Sequence, residues 1–136
     1  MIKWSEKYSI GIPVLDEQHK RLFEIAGAAY NLLKDTYVHD KYDKLVGIIG
    51  ELAEYADYHF ISEEAYMKGI GYKNLFTQEN DHADFMKKVN SVNLYKLDAN
   101  QDEYLKDILD FVINWVSEHI LGSDKEIGEF ATSMCS

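Results

Sequence analysis

After its only proline, Pro13, this chain of 136 residues repeats apolar side chains at intervals of three and four and nowhere sustains strand-like alternation. The first stretch carries Leu22, Phe23, Ala26, Tyr30 and Leu33; the second carries Leu45, Ile48, Leu52, Tyr55, Ala56 and Met67. Phe85, Met86 and Val89 mark a third, and Tyr104, Ile108, Phe111, Val112 and Trp115 a fourth. Four amphipathic helices with short joints predict an all-α fold, an antiparallel up-down-up-down four-helix bundle. The length suits one domain over 1–136.

Local signals place the boundaries. Residues 1–15 mix Gly, Pro and aromatics without helical period and read as an extended N-terminal arm. Asp16 reads as the N-cap of the first helix, which is expected to end near Thr36 to His39. The second helix starts near Lys41 and stops at the glycine-marked KGIGYKN, Lys68 to Asn74. The third covers about Leu75 to Val92, and LDANQD, Leu97 to Asp102, reads as a loop. Gly122 is expected to end the fourth helix. Ser123 and Glu126 then form a capping box that opens a short terminal helix over 123–133.

Core packing explains the leucines and phenylalanines of these stripes. It does not explain the ionisable residues on the same inward faces, because buried ionisable groups are costly unless paired or metal-bound. His59 and Glu63 are four apart and share a face; alone they read as a surface pair, but their stripe points inward. His19 falls on the Leu22/Phe23/Ala26 face and His82 on that of Phe85, where a lone histidine is ordinarily a satisfied core residue. His119 and Asp124 are five apart, a turn of about 500° in a straight helix, so they share a face only if the helix breaks. Gly122 permits that break. The bland alternative is a plain helix end with Asp124 in the next first turn.

The four histidines come one from each helix, near the starts of the first and third and the ends of the second and fourth. In an antiparallel bundle those positions lie at the same end. Core packing has no use for that coincidence, whereas a metal site needs it. Imidazole and carboxylate donors without thiolate suit iron, manganese or zinc. Four histidines and two carboxylates exceed the needs of one ion and suit two, bridged by Glu63 and Asp124.

The order and spacing of several short pieces, Trp4 to Gly11 as W-x3-Y-x2-G, DEQH at Asp16 to His19, HFISEE at His59 to Glu64, HADF at His82 to Phe85 and HILGSDK at His119 to Lys125, resemble the hemerythrin family, in particular its single-domain bacterial members. The resemblance covers nearly the whole chain. It implies two iron ions, oxo- or hydroxo-bridged, that bind dioxygen without haem. It implies that Glu63 and Asp124 bridge them, that His19 and His59 hold the iron that binds dioxygen, and that His82 and His119 hold the other.

One position departs from the family pattern. The third helix of the family carries H-x-x-x-H, and here Gln78 stands where its first histidine is expected. The surplus His39 lies twenty residues after His19, about 30 Å along a helix, and reads as a solvated loop residue. Three donors fit the vacated place: the Gln78 amide oxygen, a water held by Gln78, or Glu79 through a Glu-x-x-His spacing. Helix register favours the first two. The remaining reading is a degraded site with one metal or none.

The leading functional expectation is therefore a non-haem di-iron protein that binds dioxygen, for storage, delivery or sensing. Trp115, Val116, Phe23, Phe60 and Met67 are candidate walls of a dry oxygen pocket. Its alternatives are a di-iron peroxidase or oxidase, motivated by Gln78, and a metal-poor helical interaction domain. Sensing would act through a separate protein partner. The formal charge of −10, with no basic cluster, argues against nucleic acid and anionic membranes. No apolar run approaches a membrane span. The single Cys135 allows no internal disulfide and makes the cytoplasm the default location.

Overall fold

The structure, a computed structural model, describes residues 3–35, 41–91 and 101–134. It contains α1 (Pro13–Lys34), α2 (Lys41–Ile70), α3 (Leu75–Asn90), α4 (Gln101–His119) and α5 (Lys125–Met134), with a 3-10 turn at Glu6–Tyr8 and a π-helical segment at Ile120–Asp124. Helix α1 packs on α2 and α4, α2 on α3, and α3 on α4, closing an antiparallel four-helix bundle.

Helix α1 starts three residues before the expected Asp16. Pro13 occupies its first turn, where a missing N–H is harmless and the fixed φ fits the helix. The backbone N–H groups of Leu15 and Asp16 donate to the Ile12 carbonyl, at 3.0 and 2.9 Å. Asp16 is thus inside the helix. Its carboxylate instead ties down the arm, accepting from Ser9 Oγ at 2.6 Å and from the Ile10 N–H at 2.9 Å. At the other end Asp35 is already extended, so α1 stops at Lys34, just short of the expected end. His39 and residues 97–100 of the expected loop lie outside the described residues; Gln101 and Asp102 already belong to α4.

The break after α2 follows the glycine signal. Gly71 takes φ +68. Its N–H donates to the Lys68 carbonyl at 3.2 Å, and the Tyr72 N–H to Met67 at 2.9 Å, the paired bonds of a Schellman cap. The junction after α4 differs from expectation. Gly122 does not end the helix and Ser123 does not cap a new one. The chain widens into one π turn, with the Lys125 N–H donating to the Ile120 carbonyl, and continues as α5.

Most of the bundle interior is apolar: Leu22, Ala26 and Ala29 of α1, Leu45, Leu52 and Ala56 of α2, Phe85 and Val89 of α3, and Leu105, Leu109 and Val112 of α4. Leu15 and Met67, one turn beyond His19 and Glu63, and Ile120 and Ile127 close the other end, together with Tyr8, Ile10 and Ile12 of the arm. The polar residues lie between these two apolar layers. No described helix is long and apolar enough to cross a membrane.

Candidate metal centre

His19, His59, Glu63, Gln78, His82, His119 and Asp124 converge in the bundle, all at most 9% exposed and Glu63 and His19 at 0%. Their arrangement follows from helix phase. His59 and Glu63, and likewise Gln78 and His82, are four apart and share a face. A π turn closes between residues five apart, which brings Asp124 back beside His119 where an α-helix could not.

Each carboxylate divides its two oxygens. Glu63 Oε2 lies 3.5 Å from His19 Nε2 and 3.2 Å from His59 Nε2, while its Oε1 lies 3.2 Å from His82 Nε2. Asp124 Oδ2 lies 3.3 Å from His19 Nε2, and its Oδ1 3.3 Å from His119 Nε2. Two donor groups result, His19/His59/Glu63/Asp124 and Glu63/His82/His119/Asp124, each with one donor atom per residue within 4.8 Å of the others. His19 Nε2 and both Glu63 oxygens are buried without a hydrogen-bond partner. Carboxylate oxygens withdrawn from water and without a hydrogen-bond donor are what a cation would satisfy, so the donor set fits metal binding.

Gln78 lies beside the second group. Its Oε1 accepts from His119 Nε2 at 2.7 Å and its Nε2 donates to Asp124 Oδ1 at 3.3 Å. Glu79, one residue on and therefore about 100° around the helix, is exposed and outside the cluster. Of the two side chains expected to compete for the vacated place, Gln78 is buried beside the cluster and Glu79 is not.

Residue-level reading of the sequence passed over two supporting side chains. Gln18 is 6% exposed, and its Oε1 accepts the His59 Nδ1–H at 2.7 Å, which leaves Nε2 free to face the cluster. The signal was there: Leu15, Gln18, Leu22, Ile25 and Ala29 form a three-four stripe, and Gln18 is its one polar member. Glu64 Oε1 stands 3.8 Å from His82 Nδ1 on the outer side of that ring.

The candidate pocket walls divide. Phe60 stacks on His82 (centroids 4.0 Å, interplanar 11°) and Trp115 on His119 (4.5 Å, 14°), so both rings cover the His82/His119 half. Phe23 meets Tyr8 at 5.1 Å and lines a groove with Trp4 and Lys20. Val116 and Met67 are buried in the apolar layers.

Electrostatics prepares most of these groups as ligands. Burial lowers the pKa of His59, and that of His119 to about 4, so both rings are neutral. Burial also pushes His19 down, but Asp124 and Glu63 together outweigh it and raise His19 to about 9. Burial pushes Glu63 up, yet the surrounding histidines hold it well below the usual carboxylate range. Burial and the Glu63 charge push Asp124 well above its usual range. The metal-free site therefore stores protons that a cation must displace. Metal uptake at neutral pH should release protons, and apparent affinity should climb about tenfold per pH unit for each proton displaced. The His19 contribution should level off near its pKa of about 9. Titration with a divalent ion in weakly buffered solution, with base consumption recorded, checks the direction.

A four-helix bundle with paired histidine groups sharing two buried carboxylates defines a helical cation-binding domain. The sequence profile of the hemerythrin family, described as a hemerythrin HHE cation binding domain, matches residues 10–131. The bacteriohemerythrin of Clostridium acetobutylicum is 48% identical over 126 residues, covering 93% of this chain and 98% of that protein. The bacteriohemerythrin of Pseudomonas paraeruginosa is 30% identical, covering 89% and 75%. Myohemerythrin-1 of Phascolopsis gouldii is 27% identical, covering 89% and 87%. This chain belongs to the hemerythrin family.

Proposed function

We propose that the chain binds a pair of iron ions and, through them, dioxygen. The observation that carries this reading is the division of Glu63 and Asp124, one oxygen of each toward His19 and the other toward His82 or His119. A site for two ions uses both oxygens of two buried carboxylates in this way. Iron, when bound, supplies the electrons that dioxygen binding without haem requires.

The chain's own residues account for the rest. The His19/His59 group offers four donors and the other group five, counting Gln78, so the open position falls beside His19 and His59. Gln18 holds the His59 ring, and Phe60 and Trp115 shield His82 and His119 from water. A neutral amide donates less electron density than imidazole, so oxygen release should be faster than in the Gln78→His variant. A role in the cytoplasm fits the lone Cys135.

The test is reconstitution with ferrous iron under argon, followed by air and then argon again. The proposal expects an intense visible band that appears with air and fades on its removal, and fades more slowly in Gln78→His at equal iron loading. A colourless protein in air at full iron loading would count against oxygen binding. Sustained consumption of peroxide with a reductant would favour the enzymatic alternative.

A further inference from the structure

The two halves of the cluster share Glu63 and Asp124 and differ in what else they hold. One adds the imidazoles of His19 and His59; the other adds those of His82 and His119 and the Gln78 amide. In the metal-free arrangement Gln78 Oε1 accepts the His119 Nε2 proton at 2.7 Å. A metal ion takes the lone pair of that nitrogen, and the N–H is lost. Gln78 is 2% exposed, so its carbonyl then becomes a buried acceptor without a donor. Such a group is costly unless it finds a new partner, and a cation held by His119 Nε2 would be within its reach.

The second half then presents two imidazoles and three oxygens, and the first two imidazoles and two oxygens. Carbonyl and carboxylate oxygens suit manganese, whereas imidazole favours iron over manganese at a site of given geometry. We propose that Gln78 binds the second ion through Oε1 and makes that half a manganese-accepting position, so that the chain assembles a mixed manganese–iron centre when both are offered. This inference rests on the two-metal reading above. Ferrous iron outcompetes manganese at either half, but the amide narrows the gap at one of them. Limited iron therefore settles beside His19 and His59 and leaves the other half to manganese.

The experiment uses the full chain, stripped of metal and loaded without air with one equivalent each of Mn(II) and Fe(II). Anomalous difference maps on either side of the manganese edge locate the manganese, and metal analysis after desalting measures how much is retained. Manganese is expected among His82, His119 and Gln78. In Gln78→His the same half should take iron, with manganese retention lowered about tenfold. Gln78→Leu, which removes the oxygen without supplying a nitrogen, leaves both halves with two imidazoles and two carboxylate oxygens and should spread manganese over the two. Manganese beside His19 and His59, or equal manganese retention in the native chain and Gln78→His, overturns the inference. Iron in both halves with manganese excluded sinks it too, while leaving the two-metal reading intact. Retention of neither ion by the native chain brings down the two-metal reading itself.

Discussion

Glu63→Ala should lose both metal ions rather than one. The carboxylate of Glu63 faces His19 and His59 with one oxygen and His82 with the other, and it is 0% exposed. Each half of the site loses a charged donor at once, and no solvent-borne anion has easy entry to so buried a place. Side chains that merely orient a ligand are worth about 10- to 100-fold in metal affinity, so a shared donor should cost more than about 100-fold. Glu63→Gln keeps the shape and removes the charge, and the outcome should be similar. Metal analysis after gel filtration gives the content. The rise in melting temperature that metal confers on the native chain should vanish in both variants, an independent reading of the same loss. Far-ultraviolet circular dichroism controls for loss of the bundle. A folded Glu63→Ala protein that keeps a full complement of metal contradicts the shared-donor assignment.

Gly128→Ala should destabilise the fold, although alanine favours a helix over glycine by about 1 kcal/mol. A Cβ built at Gly128 lies 1.8 Å from the Ile10 carbonyl oxygen and 2.9 Å from its carbon, both backbone atoms. The arm cannot step aside freely, because the Ile10 N–H is bonded to Asp16 Oδ1 at 2.9 Å and Ser9 holds the other oxygen. Either the arm leaves its anchor or α5 leaves the bundle end. Overpacking together with a strained charge-assisted hydrogen bond costs about 2–4 kcal/mol, which outweighs the helix-propensity gain. For a chain of this size that is a fall of roughly 10 °C in melting temperature. Thermal unfolding of the metal-free protein decides the sign. A melting temperature equal to or above that of the native chain shows that the arm does not pack against α5 as described.

These cases show which features a sequence can carry. The four helices were legible because apolar residues at three and four spacing dictate both helix and inward face. The site histidines were legible because they interrupt those stripes at corresponding bundle levels. Gly71 was legible because a Schellman cap needs positive φ, which only glycine adopts readily. The π turn was not. Its bonding depends on drawing Asp124 toward the other helices, and locally ILGSD reads as an ordinary glycine stop. Asp16 was misplaced for a related reason: an aspartate before an apolar run signals an N-cap, but its acceptors were committed to Ser9 and Ile10, a contact made across the arm. Gly128 carried no local signal, since its need for a missing side chain comes from a carbonyl more than a hundred residues away in sequence. Gln78 was legible only beside the family pattern; its inward aim follows from helix register with His82.

Two ions held at close quarters by shared carboxylates would scatter each other's photoelectrons, and the iron-edge X-ray absorption spectrum of the iron-loaded chain reads that distance. The predicted result is an iron neighbour to each iron at about 3.5 Å, beyond a first shell of nitrogen and oxygen, and its disappearance in Glu63→Ala. A fully loaded native protein whose spectrum shows light-atom shells and no iron neighbour would contradict it.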